Sequence, residues 1–257
     1  MHWDAKKRKA QIHPRSTNLR SRPSRGKKRS VLQPGRCVFL WRLGAPSPRF
    51  QGKHMSALLA AQLAKLSEFD FIVVVDASGS MTTDDVKGRT RWEAVQETAE
   101  QFTRDLAKLD SDGIGLVVFN GQAVDSFDGV DASKLAEVFA ARSPRSSTPL
   151  AEALTAALKL AGKSDKKDFV IVFTDGVPDD RAAAAKVIVD ASNKLQSDDE
   201  LTFLFVQVGH DRAATDYLRD LDDNLKGAKF DIVDAKTVAE AESFASTADL
   251  VLAAIDG

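Results

Sequence analysis

Two carboxylates and three hydroxyls recur in this sequence at places where together they offer a hard divalent cation its preferred donors. Asp76, Ser78 and Ser80 alternate in Asp76-Ala77-Ser78-Gly79-Ser80, Thr148 closes the polar loop Ser143–Thr148, and Asp175 stands in Thr174-Asp175-Gly176. All five donors are oxygens, which suits Mg²⁺, an ion that prefers a compact octahedron at about 2.0–2.1 Å and tolerates retained waters. Each piece also has a plain structural use. Ser78 and Ser80 satisfy loop backbone groups, Thr148 before Pro149 is a good helix N-cap, and Asp175-Gly176 is an ordinary turn pair. Asp179 and Asp180 complement the start of the next helix. The metal reading rests on the coincidence of all three clusters, in order, where loops follow strands. In open α/β sheets ligands bind beyond the carboxyl ends of the strands.

The elements that must position these residues are written in the apolar periodicity. Phe71–Val75, Ile114–Phe119, Phe169–Phe173, Leu201–Val208 and Phe230–Val233 read as strands, and their continuous apolar character implies burial on both faces. Trp92, Val95, Ala99, Phe102, Leu106 and Leu109 share one face of a helix. So do Leu150, Leu154, Ala157, Leu158 and Ala161, and again Ala184, Val187, Ile188, Ala191 and Leu195. Val124–Phe127 follows the second strand too closely for a parallel crossover, so it returns antiparallel at an edge. Helices near Arg212–Leu221 and Val238–Ile255 complete the pattern. The expectation is a Rossmann-like three-layer α/β sandwich with a mostly parallel central sheet, one antiparallel edge strand and helices on both faces.

The 257 residues divide into two electrostatic objects beneath a formal charge of −1. Residues 1–54 hold 15 of the 36 Lys and Arg and a single acid, Asp4, for a sum of +14, which leaves −15 on residues 55–257. The basic segment lacks an apolar period and reads as disordered. Its clusters Lys6-Lys7-Arg8-Lys9 and Arg25-Gly26-Lys27-Lys28-Arg29 would bind nucleic acid or another anionic surface non-specifically. An Arg-rich transit peptide and residues upstream of a true start at Met55 are the competing readings, the last favoured by the abrupt change of composition at a methionine. Cys37 is the only cysteine, so residues 55–257 offer no disulfide and no thiolate, in keeping with a reducing compartment. No apolar run is long enough to cross a bilayer.

On these residues the sequence resembles a von Willebrand factor type A domain with a metal ion-dependent adhesion site, over about residues 68–255. The family pattern matches at Asp76, Ser78 and Ser80, then Thr148, then Asp175. Arg91-Trp92, Thr174-Asp175-Gly176-Val177-Pro178 and Phe205-Val206-Gln207-Val208-Gly209 are similar to intracellular bacterial members, and the cysteines that often flank extracellular adhesion members are absent. The resemblance implies that Ser78, Ser80 and Thr148 offer hydroxyl ligands to Mg²⁺, with Mn²⁺ and Ca²⁺ as alternatives, and that Asp76 and Asp175 ligate directly or through water. It implies a protein partner whose Glu or Asp carboxylate completes the octahedron, in the cytoplasm. Members of this kind work beside AAA+ ATPases or in metal-chelatase, stress or tellurite-resistance systems. Two Asp charges against +2 leave the ion attractive to that incoming carboxylate.

Other functions have weaker support. Asp76 after Val73-Val74-Val75 matches the nucleophile position of phosphoaspartate hydrolases, but Ser78 stands where those enzymes place a second Asp. No Gly-x-Ser-x-Gly elbow and no Gly-x-Gly-x-x-Gly follows the first strand. His210, the only histidine of residues 55–257, reads as a loop bystander, and Tyr217 as packing with Leu218 and Leu221. A metal-independent scaffold is disfavoured because two crowded carboxylates without a cation repel.

Overall fold

The computed structural model describes residues 60–110 and 113–256. The readings of residues 1–54, and the proposed start at Met55, lie outside the described residues. Six strands form one sheet in the order β5-β4-β1-β6-β7-β8. They are β1 (Phe69–Asp76), β4 (Ile114–Asn120), β5 (Ala123–Val130), β6 (Lys167–Thr174), β7 (Leu201–Gln207) and β8 (Val233–Thr237). Every neighbouring pair is parallel except β4 and β5, whose antiparallel pairing includes Val118 opposite Asp125. A separate small hairpin pairs β2 (Asp84–Val86) with β3 (Arg89–Thr90).

The continuous apolar strands are explained by a core on each face. In β1, Phe71, Val73 and Val75 point to one side, where Trp92, Val95 and Phe102 of α1 (Arg91–Leu106) and Leu135 and Phe139 of α2 (Ala132–Ala140) cover them. Ile72 and Val74 point to the other side, against Leu150 and Leu154 of α3 (Leu150–Leu160). Farther along that face lie Ile188 of α4 (Arg181–Ser192) and Leu218 of α5 (Arg212–Asp223). Two covered faces leave no polar alternation to read, and each fully buried Phe, Ile or Val contributes about 1.5–3 kcal/mol. Tyr217 is buried with Leu218 and Leu221, as expected for a packing residue.

Several boundaries differ from the sequence reading. The last strand is β8, from Val233, not Phe230–Val233. Phe230 is unavailable to the sheet because its N–H donates to Ser192 Oγ at 2.9 Å and its carbonyl accepts from the same hydroxyl at 2.9 Å. The helix expected over Val238–Ile255 is two, α6 (Val238–Ala241) and α7 (Thr247–Ile255), because Ser246 turns out of the helix and caps the second one by accepting from Asp249 N–H. Helix α1 stops at Leu106, before Leu109, and α4 stops at Ser192, before Leu195. Helix α2 and the β2–β3 hairpin, absent from the sequence reading, are short and locally capped, α2 by the Asp131 side chain on Lys134 N–H.

Among the described residues, Thr103, Asp125, Asp168 and Tyr217 each bury a side-chain oxygen without a hydrogen-bond partner, and Asp168 is the one whose pKa shows the cost as a carboxylate. Asp168 in β6 accepts from Gly162 N–H through Oδ2 at 2.9 Å, while its Oδ1 is buried with no partner among the described residues. Burial, reinforced by nearby Asp70, pushes its pKa up to about 6. A carboxyl that is more basic when folded than when unfolded binds the proton preferentially in the fold, so its penalty is absent below about pH 4 and complete above about pH 6. Asp168→Asn should therefore raise stability at pH 7.5 by about 2 kcal/mol, a rise in Tm of about 5 °C, and the gain should vanish by about pH 4. Thermal melts of both proteins across that range provide the check, and a gain that does not change with pH would refute it.

Candidate functional site

The site lies at the carboxyl ends of β1 and β6, the two central strands. Val75 is in register with Phe173, so Asp76 and Thr174 end their strands at the same level. The chain leaves β1 toward β4 and leaves β6 toward β7, in opposite directions across the sheet, which opens a crevice between these strand ends. Asp76 and Asp175 are completely buried there and Ser78 is nearly so.

A continuous hydrogen-bond chain crosses the crevice. Asp76 Oδ1 accepts from Ser78 N–H at 2.7 Å, and its Oδ2 accepts from the Thr174 hydroxyl at 2.7 Å. Ser78 Oγ lies 3.1 Å from Ser80 Oγ, which donates to Asp175 Oδ1 at 2.7 Å. Because a hydroxyl has one proton, the Ser80–Asp175 bond leaves Ser78 as donor to Ser80. Burial, with the charge of Asp175 second, pushes Asp76 up to about 7, while the bonds from Thr174 and Ser78 oppose that rise.

The loop that ends in Thr148 is tied to this crevice by backbone pairings. Arg145 N–H donates to Ala77 carbonyl and Gly79 N–H to Ser146 carbonyl, both at 2.9 Å, which fastens its loop to the Ser78–Ser80 turn. Ser146 adopts φ +65°, a left-handed conformation rarely taken by non-glycine residues and one that such mutual pairings hold in place. A Cβ on Gly121, in the β4–β5 turn, would lie 2.4 Å from Ser147 Oγ, so that turn needs its glycine for the loop to pack.

Two sequence readings are corrected here. Thr148 is not the cap of α3: Pro149 holds that position with no side-chain cap bond, and among the described residues the Thr148 hydroxyl has no hydrogen-bond partner. Asp179 does not serve the following helix either. Its Oδ1 accepts from Thr148 N–H at 3.1 Å and its own N–H donates to Thr148 carbonyl at 3.0 Å, tying the loop after β6 to the Thr148 loop. Asp180 alone caps α4, accepting from Ala183 N–H.

Arg91 is the residue that sequence reasoning missed as part of this site. It lies first in α1, where the helix dipole disfavours a cation, and that misplaced charge was the available signal. Its Nη1 donates to Asp175 Oδ2 at 2.9 Å, while Nε and Nη2 grip Asp85 Oδ1 and Oδ2 at 2.9 and 2.6 Å. The bonds with Asp85 hold the Asp85 carboxyl below its usual range. The same pairing, with Asp175 adding to it, fixes the guanidinium in its charged form. Thus the two crowded carboxylates have a cation inside the chain itself. His210 lies on the loop after β7 and lines a cleft of about 760 Å³ with α1 and the α6–α7 segment, apart from the five oxygen donors.

Among the described residues no group of three or more His, Cys, Asp and Glu side chains is placed to hold a metal ion. A site with two carboxylates and three hydroxyls falls outside that description by its composition.

A mostly parallel sheet with one antiparallel edge, covered on both faces and bearing polar loops at its carboxyl end, defines a Rossmann-like α/β domain. Residues 71–177 match the family model of the von Willebrand factor type A domain, to which this α/β domain is similar in sequence and in strand order. Among solved structures, a point mutant of the PilB minor pilin from Streptococcus sanguinis shares the fold, with a TM-score of 0.52 and 13% identity, covering 73% of this chain and 60% of that one. The SpRpn10 VWA domain aligns with a TM-score of 0.49 and 13% identity over 71% of this chain and 93% of that chain. Manganese-loaded Plasmodium vivax TRAP protein aligns at 0.47 and 17% identity over 68% and 71% of the two chains. No curated protein matches the sequence.

Proposed function

We propose that the domain is a non-enzymatic interaction module in which Asp76, Ser78, Ser80, Thr148 and Asp175 hold Mg²⁺ and present it to a carboxylate of a protein partner. The carrying observation is the hydrogen-bond chain from Asp76 through Ser78 and Ser80 to Asp175 at one crevice, with the loop that ends in Thr148 paired to the Ser78–Ser80 turn and its threonine free of any capping role. Hard oxygens of this kind fit Mg²⁺, with Mn²⁺ and Ca²⁺ as the alternatives. When bound, the ion supplies a Lewis-acidic position for an acidic side chain. Ser80 keeps its proton on Asp175 and retains lone pairs for ligation, and Asp76 anchors the Ser78 backbone. The partner class that the family resemblance favours is an AAA+ ATPase or a stress or tellurite-resistance component in the cytoplasm. No helix among the described residues is long and apolar enough to cross a membrane.

The hydrolase alternative loses support at Asp76. Each of its oxygens accepts a structural hydrogen bond, and Ser78, standing where those enzymes place a second Asp, has a hydroxyl engaged with Ser80 and no carboxyl for acid/base work.

Thr148 supplies the test. Thr148 is buried but does not cap α3, so Thr148→Ala should cost no more than about 1 kcal/mol of stability. It should weaken Mg²⁺ binding by about tenfold, and Thr148→Ser should restore it. Calorimetric Mg²⁺ titrations, followed by capture of partners in Mg²⁺ and in EDTA, make the measurement. Unchanged Mg²⁺ binding in Thr148→Ala, or equal capture in EDTA, would count against the proposal.

A further inference from the structure

Arg91 is a positive charge buried beside the oxygens proposed to bind a cation. Its side chain is 9% exposed, that of Asp175 is fully buried and that of Asp85 is 29% exposed. Solvent and salt therefore screen this cluster poorly. Asp175 has a donor on each oxygen, Ser80 on Oδ1 and Arg91 on Oδ2, so its carboxylate is satisfied without any ion. Arg91 cannot withdraw easily, since Asp85 grips the other edge of the guanidinium in a two-point fork and Gly209 backs it closely. An arginine also does not lose its proton in a protein, so the charge is permanent.

We propose that Arg91 sets the cation affinity of this centre: its guanidinium is a built-in counter-charge on Asp175 that assembles the site before an ion arrives and opposes the ion's binding, while Asp85 moderates that opposition. This rests on the metal-binding reading above. Arg91 is thus a positioning and tuning residue, without being a ligand. An ion held by Asp175 would share that carboxylate with the guanidinium, so in a poorly screened site the two positive charges would oppose each other, and this charge effect outweighs the loss of positioning when Arg91 is removed. Asp85 acts with the opposite sign, because its negative charge offsets that of Arg91. The centre is thereby held in a weak, reversible range, and the β2–β3 hairpin that carries Asp85 is electrically connected to it.

The signs make the test. Mg²⁺ is titrated calorimetrically at one pH into the full chain and into Arg91→Gln, Asp85→Asn and Arg91→Lys, with melts in EDTA confirming that each is folded. Arg91→Gln should bind Mg²⁺ about tenfold more tightly than wild type, and Asp85→Asn about threefold more weakly. Arg91→Lys, which keeps the charge though not the two-point fork, should show none of the tightening of Arg91→Gln and stay within about 1.5-fold of wild type. If Arg91→Gln does not fold, the other two variants decide: weakening in Asp85→Asn with near wild-type binding in Arg91→Lys supports the proposal. Weaker binding in Arg91→Gln, or unchanged binding in Asp85→Asn, would overturn it while leaving the metal reading intact. Absence of Mg²⁺ binding in wild type and in every variant would overturn both.

Discussion

Asp175→Asn should weaken Mg²⁺ binding by about a hundredfold and leave the domain folded. The substitution removes one of two negative charges from a fully buried site. At an effective dielectric constant of about 20, a unit charge about 4 Å from another is worth about 4 kcal/mol, more against a divalent ion, so a hundredfold loss is well within reach. The fold should survive because Asn has the same shape. Its carbonyl can accept from Arg91 Nη1, where Asp175 Oδ2 now accepts at 2.9 Å, and its amide can donate to Ser80 Oγ in place of the present 2.7 Å bond from that hydroxyl. Calorimetry in Mg²⁺ with melts in EDTA separates the two effects. Wild-type Mg²⁺ affinity in a folded Asp175→Asn protein would remove Asp175 from the centre.

Gly209→Ala should be among the most damaging single-methyl additions to the domain, with a cost of about 2–3 kcal/mol, or a fall in Tm of roughly 5–10 °C. Gly209 has φ +77°, where any other residue is strained by about 1 kcal/mol. The added Cβ would also lie 2.3 Å from Arg91 Nε. A free arginine would swing away at little cost, but this one is fixed by Asp85 and Asp175. The two contributions separate in a double-mutant cycle. In an Arg91→Gln background the clash disappears, and Gly209→Ala should then cost only about 1 kcal/mol. Equal penalties in the two backgrounds, measured by thermal or urea unfolding, would show that Arg91 and Gly209 do not interact as described.

What the sequence alone determined about this protein is local in its physics. The central strands are legible because both faces of each are covered, which leaves uninterrupted apolar runs such as Phe71–Val75 and Phe169–Phe173. The Val124–Phe127 edge strand is legible because a turn this short allows only an antiparallel return. Asp76, Ser78 and Ser80 are legible because their arrangement sits in one turn, and Ser78 N–H reaches the carboxylate only two residues back. The tertiary structure decided the rest, where a residue's role depends on a partner far along the chain. Thr148 reads as a helix cap, but the fold puts Pro149 at the cap of α3 and ties the Thr148 backbone to Asp179, 31 residues away. Phe230 reads as strand until Ser192, 38 residues away, occupies its backbone groups. Arg91 reads as the polar start of an amphipathic helix, and only the register of β1 against β6, with the hairpin folded across α1, places it between Asp85 and an Asp175 that is 84 residues distant. Periodicity and turn chemistry act over a few residues, whereas a buried charge is placed by whichever opposite charges the whole fold brings within hydrogen-bond reach.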